Sequence, residues 1–191
     1  MRRLFFAAWP APTWCIELGE AAAATVAIAD GRPLARLDWH VTLCFLGAVE
    51  ETALTPLCRA CDGIVADAFS LTFDRLESWR RARVLVAAAE AQPPPAATTL
   101  VAQLTTAASA LGIVPDSRSW LPHRTWARSL PAHSRAASQR ANEPAHVMPL
   151  ARTVVLSVER FHLMDSRRTD TPRYQSLASW PLRAWQVPRP P

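Results

Sequence analysis

The chain has 191 residues, half of them hydrophobic, and 21 basic against 16 acidic residues give a net charge of +5. This suits one domain, or two fused lobes, around a proper core; it argues against wholesale disorder, and no apolar run approaches the length of a membrane span. Every basic residue is arginine, which GC-rich coding bias explains, although guanidinium forks also suit a phosphorylated or nucleic-acid partner.

The opening residues, Met1-Arg2-Arg3-Leu4-Phe5-Phe6-Ala7-Ala8-Trp9-Pro10, faintly suggest a leader. The apolar stretch is too short and the prolines come too early for one, so Leu4–Trp9 reads as a first strand and the protein as cytoplasmic. Thr13–Ala29 has helical spacing and ends at the turn Asp30-Gly31. Leu37–Leu46 alternates as a strand, and a second helix is expected over Glu51–Asp67. Phe69–Leu76 and Arg83–Ala89 read as strands. Gln92-Pro93-Pro94-Pro95 is a break before a third helix, Thr98–Leu111, closed by Gly112. A strand is expected over Trp120–Ala127. Residues 129–149 are polar and rich in Pro, Ser, Ala and Arg, and read as a long surface loop. Val154–Met164 reads as one more strand, and 187–191 as a loose Pro-rich tail. The whole of 1–191 is thus expected to be one domain. Cys58-x-x-Cys61 has no second ligand pair to complete a zinc site, and it falls inside the second helix rather than after a strand, so it reads as two small helix residues.

Strand, helix and strand follow one another twice, and each second strand carries His-x-Thr. In the first half it is His40-Val41-Thr42, and in the second His123-Arg124-Thr125. Strand side chains alternate faces, so each motif turns an imidazole and a hydroxyl to one side. Val41, Leu43 and Phe45 are expected to form a wholly apolar opposite face. One His-x-Thr is uninformative; two in corresponding slots of a repeat are not. The repeat implies an α+β fold of two pseudo-symmetric lobes, mostly antiparallel sheets facing a central cleft, with helices outside.

His40-Val41-Thr42-Leu43-Cys44-Phe45-Leu46-Gly47, Pro122-His123-Arg124-Thr125-Trp126-Ala127-Arg128, the opening Leu4-Phe5-Phe6-Ala7-Ala8, the central Phe69-Ser70-Leu71 and Arg83-Val84-Leu85-Val86, and the closing Ser166-Arg167 and Tyr174 together resemble the 2H phosphoesterase superfamily. Within it, they are most similar to the RNA 2′,3′-cyclic phosphodiesterases once called 2′-5′ RNA ligases. Trp126 stands where that family usually has Leu, and Arg124 where it usually has an apolar residue. The glycine before the closing Tyr is replaced, with Thr171 nearby.

The chemistry sets its own requirements. Opening a cyclic phosphate needs a base for water, an acid for the departing ribose oxygen, and donors for the phosphoryl oxygens. Two histidines in opposite protonation states and two hydroxyls meet them without a metal or other cofactor. The resemblance assigns His40 as proton donor and His123 as acceptor. Thr42 and Thr125 are expected on the phosphate, with Arg128 beside them by resemblance. Strict parity would turn Arg128 away unless a bulge intervenes. Tyr174 is a candidate substrate contact. The resemblance implies a 2′-phosphate product, weak reverse 2′-5′ ligation, and RNA with 2′,3′-cyclic phosphate ends as partner; a monomer with no membrane association is expected. Two alternatives remain open: a 2H enzyme on small cyclic nucleotides, and a non-catalytic RNA-binding module of the same fold. Trp39 and Trp120 flank the motifs and are read as core rather than base-stacking rings. His133 and His146 are read as solvated, His162 as structural alongside Val154, Leu156 and Val158, and Arg80-Arg81 and Arg167-Arg168 as a solvated basic face that could steer RNA.

Overall fold

In the computed structural model, residues 1–26, 32–79, 82–90, 92–116, 118–128, 144–167 and 172–184 are described. The expected turn at Asp30-Gly31, the stretch 129–143 of the expected loop, the tail 187–191, Arg80-Arg81, His133, Arg168 and Thr171 lie outside them.

In chain order the elements are β1 (Arg2–Ala8), α1 (Pro12–Val26), β2 (Arg32–Pro33), β3 (Val41–Val49), α2 (Leu54–Asp62), β4 (Phe69–Trp79), β5 (Val84–Ala89), α3 (Pro95–Ser109), β6 (His123–Arg128), β7 (Pro144–Val158), β8 (Arg160–Ser166) and β9 (Tyr174–Pro181). Short 3-10 turns at Arg36–Asp38 and Glu51–Ala53 precede β3 and α2.

Two antiparallel sheets result, ordered β3-β1-β8-β9 and β2-β6-β5-β4-β7. The α+β class and the two lobes stand as expected. Each sheet buries one face in the main core and carries a smaller apolar cluster on its cleft side. In β1 the even residues Leu4, Phe6 and Ala8 join the main core, while Phe5 and Ala7 join a small cluster with Met164 and Tyr174 on the cleft side. In the second sheet Trp79, Val84, Val86 and Ala88 form the matching cleft-side cluster.

Two of the three described helices cross over. α1 follows β1 of the first sheet, yet it packs on the second: Trp14 meets Phe73 edge to face at 5.2 Å, and Glu20 pairs with Arg152. α3 follows β5 of the second sheet and packs on the first, where the hydroxyl of Thr105 lies 3.8 Å from Cys44 Sγ. From α2, Asp62 accepts the Trp180 indole N–H of β9 at 2.7 Å. Each lobe therefore covers the back of the other, which fixes how the two cleft faces meet.

Several boundaries depart from the sequence reading. The expected strand Leu37–Leu46 starts only at Val41, because Arg36–Asp38 closes a 3-10 turn. The second helix ends at Asp62, where Gly63 follows, well short of Asp67. The third begins at Pro95, inside the expected break, since proline at the first helical turn loses no needed hydrogen bond. Residues 144–149 are the start of β7, paired with β4, and not loop. Glu159 splits the expected Val154–Met164 strand in two, so His162 lies on β8 beside Ala7 and turns away from the core residues Val154, Leu156 and Val158. Its Nδ1 is 3.3 Å from Ser176 Oγ. Neither β2 nor β9 was expected from the sequence. Cys58 and Cys61 are free thiols on α2, and burial pushes the Cys61 thiol up to about 12.

Candidate active site

Both His-x-Thr segments carry the same backbone device. The Nδ1 of His40 meets the Asp38 carbonyl at 2.8 Å, and that of His123 meets the Leu121 carbonyl at 2.7 Å. A carbonyl only accepts, so Nδ1 carries the proton in each ring. The neutral ring's free lone pair is then on Nε2.

A register shift follows the threonine in each case. In β3, Thr42 pairs with Ala7 and Cys44 with Phe6, leaving Leu43 as the extra residue. In β6, Thr125 pairs with Val86 and Ala127 with Leu85, leaving Trp126 extra. One extra residue reverses the parity of everything after it. Arg128 consequently pairs with Val84 and lies on the same face as His123 and Thr125. The same shift corrects the reading of β3: Phe45 pairs with Phe5 and faces the cleft with Thr42, and Cys44 takes its place in the core. Phe45 and Arg128 are thus equivalent positions, three residues after each threonine. A second shift in β3 falls at Gly47, whose φ of +75° disfavours any residue with a Cβ.

The two imidazoles sit in different surroundings. His40 is boxed by aromatic rings: Trp9 stacks at 5.7 Å, Phe5 lies at 4.9 Å, and Tyr174 meets it edge-on at 4.7 Å. His123 meets Trp79 at 4.5 Å, whose indole N–H donates to the buried Glu77 carboxylate at 2.8 Å. Burial pushes His40 down to about 4; its hydrogen bond to Asp38 opposes this, while the charges of Arg124, His123 and Arg128 add to it. Burial also lowers His123, opposed by the Leu121 carbonyl and the Glu77 charge.

Arg124 and Trp126, the two family departures, belong together. The Arg124 side chain is fully buried, with its guanidinium carbon 3.2 Å from the Trp39 ring centre and 4.6 Å from that of Trp126. The two indoles are themselves 4.8 Å apart. None of its side-chain nitrogens has a hydrogen-bond partner among the described residues, so its charge is met by aromatic faces alone. Trp120 donates its indole N–H to the Thr42 carbonyl at 2.8 Å. Trp39 and Trp120 therefore tie the lobes together and do not offer open stacking platforms, as the sequence reading favoured.

A cavity of about 220 Å³ opens beside His40 and Thr42, and reaches Arg128 from the other lobe. It includes Tyr174 and Ser166 but not His123 or Thr125 in its lining. Four contributors to the site were not singled out from the sequence: Trp9, Trp79, Arg3 and Arg173. Parity along Leu4–Trp9 would have paired Trp9 with Phe5 and Ala7. Nothing local marks Trp79 or Arg173, whose positions depend on how distant strands pair. Among the described residues, no group of three or more His, Cys, Asp or Glu side chains could hold a metal ion, and no helix is long and apolar enough to cross a membrane.

This geometry has relatives. A profile for LigT-like phosphoesterases matches residues 12–86. The crystal structure of LigT from E. coli complexed with 3′-AMP superposes with a TM-score of 0.78 at 28% identity, over 95% of this chain and 98% of that one. In sequence and in fold the chain is similar to LigT-like phosphoesterases. An RNA 2′,3′-cyclic phosphodiesterase of Bacillus subtilis is 28% identical over 76% of this chain and 78% of its own length. One of Geobacillus stearothermophilus is 30% identical over 76% of this chain, but that match spans only 46% of the relative.

Proposed function

We propose that this protein is a LigT-like phosphoesterase that opens the 2′,3′-cyclic phosphate at RNA ends to a 2′-phosphomonoester by paired-histidine catalysis. The observation that carries the reading is the duplicated device: two imidazoles with Nδ1 tied back to a carbonyl, each followed by a threonine on the cleft face. Relatives named as RNA 2′,3′-cyclic phosphodiesterases support the substrate class.

His40 protonates the departing 3′ oxygen and His123 takes the proton of the attacking water. Thr42 and Thr125 donate to the phosphoryl oxygens, and Arg128 adds a charge-assisted donor as negative charge builds. Tyr174 holds the His40 ring edge-on. The donor and acceptor roles are assigned by family resemblance. Burial lowers both rings in the free protein, and the charge of the bound phosphate anion favours the proton that His40 must carry. Reverse 2′-5′ joining runs through the same groups and is weak, because ring opening releases strain.

Turnover of an oligonucleotide with a cyclic end, followed by separation of 2′- from 3′-phosphate products, tests this. A 2′-phosphate that still forms in chelator is expected. A 3′-phosphate product would reverse the roles, and RNA binding without turnover would leave only the binding module.

A further inference from the structure

Several arginines among the described residues are neutralised by carboxylates. Arg2 pairs with Glu51 and Asp165, Arg75 with Asp74 and Glu77, Arg152 with Glu20 and Arg183 with Asp67. Arg3, Arg128 and Arg173 differ. All three line the 220 Å³ cavity, and no carboxylate lines it with them. Among the described residues their guanidinium groups make neither an ion pair nor a hydrogen bond, and Arg173 Nε is buried without a partner. Asp38 accepts from the backbone N–H of Arg173 at 3.0 Å.

Arg128 shares its face with His123 and Thr125, and so belongs to the reacting phosphate. Arg3 does not. It follows Phe5 and Ala7 along the cleft face of β1, one pleat repeat (about 6.8 Å) beyond Phe5, which touches the His40 ring. Its guanidinium rests on the Phe45 ring at 4.8 Å. Stacking fixes a guanidinium in place while leaving its edge N–H groups unspent. Phe45 is the counterpart of Arg128 in the other lobe, so the first lobe supplies its cation from β1 and seats it on the aromatic ring. Ser166, paired with Tyr174 across β8 and β9, adds a hydroxyl at the same end of the cavity.

We propose that Arg3, Arg173 and Ser166 form a second anion subsite, for a phosphate on the 5′ side of the reacting nucleoside. A nucleoside with a 2′,3′-cyclic phosphate carries any other phosphate at its 5′ oxygen. The ligand is then either the next phosphodiester of an RNA chain or a terminal 5′-monophosphate. The proposal rests on the cyclic phosphodiesterase reading, and it makes a chain end or 5′-phosphorylated nucleotide a better substrate than a bare cyclic nucleoside phosphate.

The test compares adenosine 2′,3′-cyclic phosphate, its 5′-phosphorylated form, and a dinucleotide ending in the same cyclic phosphate. Titration calorimetry compares adenosine 2′-phosphate with adenosine 2′,5′-bisphosphate. A 5′ phosphate is expected to raise kcat/KM and tighten Kd at least tenfold. Arg3→Gln, and Phe45→Leu to remove its seat, should bring that ratio most of the way to one. For the dinucleotide, Arg3→Gln should also reduce the salt slope of log kcat/KM by about 0.7, the share of one phosphate contact on a single strand. Whichever form gains more identifies monoester or diester as the ligand. No gain from the 5′ phosphate, or a gain that survives both Arg3→Gln and Arg173→Gln, overturns the subsite. An Arg3-dependent gain in binding with no turnover of any cyclic phosphate would sink the catalytic reading while the subsite stands.

Discussion

On β3, the His40 imidazole is walled by Trp9, Phe5 and Tyr174, and the position three residues after its threonine is the apolar Phe45. On β6, His123 meets the single ring of Trp79, backed by the Glu77 carboxylate, and the equivalent position is Arg128. The backbone is the same in both: Nδ1 to the carbonyl two residues earlier, then a bulge directly after threonine. The lobes therefore share the device that aims the ring and differ in the field around it. Acid and base can be distinguished on a pseudo-symmetric scaffold in this way, by neighbours rather than by geometry.

The comparison breaks most visibly if one lobe is dispensable. His40→Ala and His123→Ala should each lower kcat by about 10²–10⁴-fold, the range for a positioned acid or base, measured at saturating cyclic-ended oligonucleotide. The double variant should lose little more than the worse single one, since the two rings serve one concerted path. Next in size is the difference at the equivalent third positions. Arg128→Gln removes a charged hydrogen bond of about 1.5–3 kcal/mol, so kcat/KM should fall roughly 10- to 100-fold, whereas Phe45→Leu should cost less on a substrate without a 5′ phosphate.

A smaller effect sharpens the electrostatic half of the comparison. Both rings are held below their ordinary range in the free protein, so both are neutral at pH 7. The kcat/KM profile reports the free enzyme, and it should be bell-shaped with its maximum below pH 6.5. An anionic substrate raises both values, so the kcat profile should peak at higher pH. Arg124→Met removes one of the cations that depress His40 and should move the acid limb upward. The melting temperature should hold or rise, because a buried cation with no hydrogen bonds is being replaced by a packed apolar chain. The smallest effect concerns stability. The unfolded chain binds a proton near pH 6.5 that His40 refuses until about 4. The contribution is therefore complete above pH 6.5 and is lost between there and pH 4. His40→Asn should flatten that decline in thermal melts.

Much of this was legible from residues close in sequence. The two His-x-Thr motifs, the repeated element order and the α+β class follow from short-range pattern, and the condition for Arg128 to reach the site, a bulge, could be stated from parity alone. The bulge itself could not be located, and so Phe45 was assigned to the core. Arg124 and Trp126 looked like unrelated departures because their common explanation, the Trp39 ring, lies in the other lobe. Trp79, Arg3 and Arg173 escaped for the same reason: each reaches the site through pairing between strands far apart in the chain. β9 was missed because its small and polar residues (Gln175, Ser176, Ala178, Ser179) carry little alternation.

The most direct test of the account is single-turnover hydrolysis of an RNA oligonucleotide with a 2′,3′-cyclic end, in excess chelator, by wild type, His40→Ala and His123→Ala. The account predicts a 2′-phosphate product at undiminished rate for the wild type, and a loss of about 10²-fold or more for each variant. Near-wild-type cleavage by either variant, or loss of wild-type activity in chelator, would contradict it.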